Sequence, residues 1–213
     1  MDREEFVEHV GPQLVHLTMR SNVPGINAGG LIRAAEIARR AGIDPRDLRL
    51  RKDRTEIRLE GRTIKLNHQR PLIAGAAQAE TFLDGHTLES WADVLNSRLF
   101  FWPTDGGASF ADSLKAEDNI VQVRLDSRRF FDAFAPDIDL SPINSGSATR
   151  RASARGDWLF VPVAKGWDAF AENRRTRGHA QRRDSVAEVS ISRDIPPEIF
   201  RTLMLVPGQT GAA

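Results

Sequence analysis

The chain contains no cysteine and no tyrosine among its 213 residues, and only 4 lysines against 26 arginines. Without cysteine there is no disulfide framework, no thiolate-ligated metal and no cysteine nucleophile. Such a composition suits a reducing cytosol. No apolar run approaches the roughly 20 residues that a bilayer crossing needs. The opening Met1-Asp2-Arg3-Glu4-Glu5 is acidic and polar, unlike a signal peptide. A cytoplasmic protein with no membrane partner is therefore expected. The net charge is only +1, so any nucleic-acid surface must be a local patch and not a global field. GC-rich codon usage accounts for the arginine excess, which alone points only weakly to phosphate binding. Common catalytic signatures are also missing. There is no Gly-x-Ser-x-Gly elbow, no phosphate loop ending in Gly-Lys-Ser/Thr and no Gly-x-Gly-x-x-Gly after a strand. The five histidines are scattered without His-Glu-x-x-His spacing, and no metal site is expected.

What is present suffices for one sizeable core: 40% of the residues are hydrophobic. Residues 1–205 read as a single domain and 206–213 as a disordered tail. Residues 3–10 form a short amphipathic helix and Leu14–Thr18 a strand. Asn22 is a candidate N-cap, Pro24 suits the first helical turn, and Gly29-Gly30 ends that helix. Leu31–Ala41 is read as a second helix. Asp53–Leu66 alternates as a hairpin turning at Glu60-Gly61. Thr87 caps a helix to about Ser97, which runs into the strand Leu99–Pro103. Gly106–Leu114 and Arg129–Phe134 read as helices, and Ile120–Leu125 as a strand. Ile138–Ile143 is extended, Phe160–Val163 is a strand and Trp167–Asn173 a helix. An Arg-rich loop over 174–183 precedes the strand Val186–Ile191, and Pro196-Pro197 starts a last helix. Short antiparallel-looking strands with interspersed helices make an α+β fold, without the regular βαβ alternation of a doubly wound sheet.

Three segments carry candidate chemistry. His16 and Thr18, two apart on a strand, project to the same side. Arg98, Phe101 and Trp102 combine a cation with rings able to stack on a flat heterocycle. Glu188 stands within a late apolar strand, where a carboxylate is costly unless it is paired or faces a cleft. The polar turn Asn144-Ser145 follows another strand. Arg174, Arg175, Arg177, Arg182 and Arg183 crowd into ten residues just before Glu188.

His16-Leu17-Thr18, Asn22 and Gly30-Leu31 resemble the opening of the ADP-ribosyltransferase fold. The wider pattern is similar to an uncharacterised bacterial family. It comprises Trp91, Leu95-Asn96, Arg98-Leu99-Phe100-Phe101-Trp102, Ser141-Pro142-Ile143-Asn144-Ser145-Gly146, Arg155-Gly156 and Ala187-Glu188-Val189. A more distant likeness is to DNA-targeting ADP-ribosyltransferase toxins. The resemblance implies two small, mainly antiparallel sheets around an NAD cleft with short flanking helices. It implies NAD as substrate, gripped by His16, Leu17, Thr18, Asn22 and Leu31, with His16 donating to a ribose hydroxyl. Phe101 or Trp102 would pack near the nicotinamide, Arg98 near the phosphates, and Asn144 and Ser145 would line the site. Glu188 would stabilise the ribosyl cation, making Glu188 and His16 the catalytic pair. The five clustered arginines would bind a DNA or RNA acceptor, and a toxin would have an antidote protein as a further partner. Where one branch of that fold uses a Tyr to stack the nicotinamide, this chain has none. The other readings are an NAD glycohydrolase or RNA 2'-phosphotransferase on the same fold, and a non-enzymatic nucleotide- or partner-binding module, which the missing Tyr favours.

Overall fold

Alternation along one short strand sets the architecture. In the computed structural model, which describes residues 1–103, 119–149, 153–177 and 185–205, Leu99, Phe101 and Pro103 are buried while Phe100 and Trp102 are half-buried. The first two join one apolar core and Phe100 packs against another, so the two faces of the sheet have separate cores. The readings for 106–114 and for the tail 206–213 lie outside the described residues.

The elements run in chain order as follows. Helix α1 (Arg3–Val10) starts at Asp2, whose carboxylate accepts from Glu5 N at 2.9 Å, a cap of about 1 kcal/mol. Strand β1 (Gln13–Met19) leads through a 3₁₀ turn to α2 (Val23–Gly29) and α3 (Ala34–Arg40). The hairpin β2 (Thr55–Leu59) and β3 (Arg62–Leu66) follows, then the short α4 (Arg70–Ile73) and α5 (Ala79–Phe82). Helix α6 (Leu88–Asn96) is closed by a reciprocal capping box between Thr87 and Ser90 and leads into β4 (Leu99–Pro103). After these come β5 (Ile120–Asp126), α7 (Ser127–Phe134), β6 (Ile138–Ser141), β7 (Val161–Pro162), α8 (Gly166–Thr176), β8 (Glu188–Ile191) and α9 (Pro197–Leu203).

The fold is α+β, with one six-stranded sheet in the order β5-β1-β4-β8-β6-β7 and a separate two-stranded sheet, β2-β3. All strand pairs within both sheets are antiparallel. Strand β4 joins two halves: its Trp102-Pro103 end pairs with β1, whereas Leu99–Phe101 pair with β8. Among the described residues, pairing between β1 and β4 is confined to Leu14 and Val15, so the two strands part from His16 onward. One core packs α1, α7 and α9 on the sheet through Phe6, Phe130, Phe134 and Phe200. The other packs α6 through Trp91 and Leu95. Among the described residues no helix is long and apolar enough to cross a membrane.

Several expected boundaries differ. The helix expected from Leu31 starts only at Ala34, because Leu31 exchanges two backbone hydrogen bonds with Ile195 and Arg33 N is held by Asp194 at 3.0 Å. Residues 174–176, expected in a loop, complete α8. The strand expected from Val186 begins at Glu188.

Gly30 makes the α2 exit possible. Its φ is +80°, and a Cβ there would lie 2.0 Å from the Ile195 carbonyl oxygen. Gly30→Ala should therefore lose about 1–3 kcal/mol through backbone strain alone, with the steric clash adding to it. Urea unfolding checks this, and an unchanged midpoint would contradict the assigned conformation.

Candidate functional site

Where β1 and β4 separate, a cleft of about 680 Å³ is lined by His16, Leu17 and Thr18 from one strand and Phe100 and Trp102 from the other. Asn22 and Leu31 reach it from α2 and its flanks, Asn144 and Ser145 from the turn after β6, and Glu188 from β8. The hairpin supplies a further wall through Leu59, Arg62, Ile64 and Leu66. Residues far apart in sequence thus meet in one cavity.

The His16 ring occupies the gap between the strands. Its Nδ1 lies 2.9 Å from the Phe100 carbonyl oxygen, replacing a backbone ladder bond. A carbonyl only accepts, so Nδ1 carries the proton. Burial pushes the imidazole below its ordinary pKa, although the bond to Phe100 opposes this. Neutral His16 is thereby left with Nε2 as an acceptor.

Asn22 does not cap α2 with its side chain. Its amide is complementary to a peptide edge, and it bonds β3 instead. Asn22 Nδ2 donates to Lys65 O and Lys65 N donates to Asn22 Oδ1, both at 2.9 Å. The same Nδ2 reaches Thr18 Oγ1 at 3.2 Å. One buried side chain thus ties β1 to the hairpin wall.

Two expected ligand residues are turned away or already engaged. Phe101 is wholly buried on the opposite face, edge-on to Phe130 at 4.8 Å, so strand alternation gives the cleft to Phe100 and Trp102. Arg98 lines the cleft, but its Nη1 donates to Asp139 at 2.6 Å and Ser190 at 3.2 Å, and its guanidinium lies 4.0 Å from the centre of the Phe160 ring. Its charge is compensated within the sheet.

Glu188 is 2% exposed. Its Oε2 accepts from Ser145 N at 2.9 Å and Ser145 Oγ at 2.7 Å. Burial pushes its carboxyl up to about 7, opposed by the two Ser145 donors and the positive charge of Arg155. The Ser145 turn is itself fixed from behind. Trp91 Nε1 donates to Ser145 O at 3.1 Å, and Arg155 Nη1 donates to the carbonyls of Ser145 and Ser147 at 2.9 and 3.0 Å. Asn144 Oδ1 closes the turn on Gly146 N at 3.1 Å. Trp91 and Arg155 belong to the quoted sequence pattern, but nothing in their spacing gave them this supporting role.

Among the described residues, the expected acceptor-binding arginines do not gather at the cleft. Arg174 is 5% exposed on α8, which removes it from any polyanion surface. Arg175 pairs with Glu172 at 3.2 Å, and Arg177 donates to Asn173 while lying over Trp158. Arg182 and Arg183 lie outside the described residues. Among the described residues no group of three or more His, Asp or Glu could hold a metal.

A protein-family model described as "Family of unknown function (DUF7002)" matches residues 12–203. The chain belongs to that family. Its matched span contains every cleft residue from His16 to Glu188. A search of the curated proteins finds no match.

Removing the charge of Arg155 withdraws a cation that favours the Glu188 carboxylate, so Arg155→Met should move the Glu188 titration midpoint above 7. Carboxyl ¹³C NMR reads this directly, and Arg155→Lys should restore part of the shift. An unmoved midpoint would show that Arg155 does not act on Glu188.

Proposed function

We propose that this protein cleaves the nicotinamide–ribose bond of NAD and transfers ADP-ribose to a macromolecular acceptor, with nucleic acid the leading acceptor class. One observation carries the reading: a buried, positioned glutamate opens on the same cleft as a His-x-Thr strand. Cleavage builds positive charge on the ribose as nicotinamide leaves with the bonding electrons, a situation shared with glycoside hydrolysis. A preorganised carboxylate in a desolvated site stabilises that charge more effectively than one in water. The Glu188 carboxylate, aligned by Ser145, supplies it. His16 Nε2 accepts from a ribose hydroxyl, and Thr18 and Asn22 shape the cavity beside it. Phe100 and Trp102 offer aromatic surface for the nicotinamide ring. The acceptor nucleophile then bonds to the anomeric carbon and gives up its proton to Glu188 or water.

A second reading, hydrolysis of NAD to free ADP-ribose, gains weight from the arginines. Arg174, Arg175 and Arg177 are absent from the cleft lining, which weakens the case for a polyanionic acceptor there. Product analysis separates the two, since one yields a modified polymer and the other free ADP-ribose.

The test is nicotinamide release from NAD, with and without single-stranded DNA or RNA. Glu188→Gln should lower the rate by about 10²–10³-fold. Because the working form is the carboxylate and its pKa is about 7, wild-type kcat/KM should rise with pH through that value and flatten above it. Full turnover by Glu188→Gln would refute the assignment. Nicotinamide release by neither protein would return the chain to a binding module.

A further inference from the structure

A second cation lining the cleft has no role in the reading so far. Arg51 follows the 3₁₀ turn over Pro45–Leu48 and precedes the hairpin. Its guanidinium is held from several sides in one orientation. Nε donates to Asn67 O at 2.9 Å, while Nη1 donates to Leu48 O at 2.5 Å and Asn96 Oδ1 at 3.0 Å. Asn96 is itself fixed, donating to Leu48 O at 3.1 Å. Every one of these acceptors is neutral. Nη2 carries no hydrogen bond among the described residues.

Of the other cleft cations, Arg62 is exposed to solvent and three are paired with carboxylates. Arg40 pairs with Glu36 at 2.9 Å and Asp194 at 3.2 Å, Lys65 with Glu56 at 2.7 Å, and Arg98 with Asp139 at 2.6 Å. Burial pushes the Arg51 pKa down to about 10 with no carboxylate opposing the shift. A partly desolvated charge with neutral partners is costly, and the two N–H groups of Nη2, on a guanidinium held rigid by its other donors, are left to meet a phosphate oxyanion. A flexible, solvated arginine would serve for loose contact with a polymer backbone. Arg51 is instead fixed within a cavity large enough for a small ligand.

We propose that Arg51 is the anion-binding residue of the cleft and takes the diphosphate of a dinucleotide. The inference that the diphosphate is that of NAD rests on the proposed function; the anion site itself does not. It replaces Arg98, whose charge Asp139 already compensates, as the phosphate contact.

The experiment is calorimetric titration of the full chain with inorganic pyrophosphate and with ADP-ribose. Wild type should bind pyrophosphate saturably, and ADP-ribose should displace it. Arg51→Met should weaken both ligands by about tenfold or more, the scale of a lost charge-assisted hydrogen bond, with Arg51→Lys recovering part of the loss. Arg201→Ala, which removes an exposed cation on α9 away from the cleft lining, should change neither by more than about threefold. If Arg51→Met does not fold, the wild-type Arg51 Nε–H resonance must still shift on adding pyrophosphate. No pyrophosphate binding by wild type, equal binding by a folded Arg51→Met, or an unshifted resonance would overturn the proposal. So would a loss confined to a single-stranded oligonucleotide, which would make the contact one to acceptor backbone. Glu188→Gln separates the two readings. If it and wild type both bind pyrophosphate through Arg51 while neither releases nicotinamide, the NAD reading falls and the anion site stands.

Discussion

The clamp between Ser145 and Glu188 is the contact on which the cleft depends. A carboxylate inside a fully buried strand segment pays a large desolvation cost unless donors meet it. Two donors from one residue do so, a backbone N–H and a hydroxyl converging on Oε2. They can converge only if the turn after β6 is rigid, and Trp91 and Arg155 hold that turn by its carbonyls. The same Trp91 is a fully buried residue of the α6 core. The geometry of the Glu188 carboxylate is therefore continuous with the packing of one face of the sheet. A defect under α6 would reach Glu188 through a single indole N–H.

The second constraint is the parting of β1 from β4. An antiparallel pair normally continues its ladder to the strand ends. Here pairing is confined to Leu14 and Val15, and the Phe100 carbonyl that it leaves bonds His16. The backbone polar group stays satisfied, while the sheet gains a gap wide enough to line a cavity. Asn22 repeats the device with a side-chain amide that occupies both polar groups of Lys65. In both places a polar side chain replaces a strand neighbour, and in both it borders the cleft.

Much of this was legible from pattern. The hairpin at 55–66, the Thr87 cap and the strands around His16 and Phe101 follow from alternation, glycine and capping signals, which are local. His16, Thr18, Asn144, Ser145 and Glu188, singled out in sequence, do share one cavity. Phe101 failed for an equally local reason: the face of a strand follows from its register, and nothing in Leu-Phe-Phe-Trp-Pro says which alternate rings meet the core. Arg98 lines the cleft, but its pairing was not legible, since its partner Asp139 lies on another strand and is unremarkable in sequence. Arg51 had no motif at all. Its proposed significance lies in having no carboxylate partner among the described residues, and such an absence exists only in three dimensions. Asn22 looked like a cap because caps are common; its bond to Lys65 spans 43 positions.

The burial of Glu188 also couples the site to folding. Because its folded pKa lies above its ordinary value, the folded state takes up a proton that the unfolded chain would already have released. The stabilisation from that proton is complete below the ordinary carboxylate value and is lost as pH rises through about 7. The proton is thus a stabilising ligand of the native state and, under the proposed chemistry, a competitive occupant of the reactive group. For this one group, mild acidification gives a form that is sturdier and idle, whereas the working form carries a standing energetic load that the rest of the core must offset.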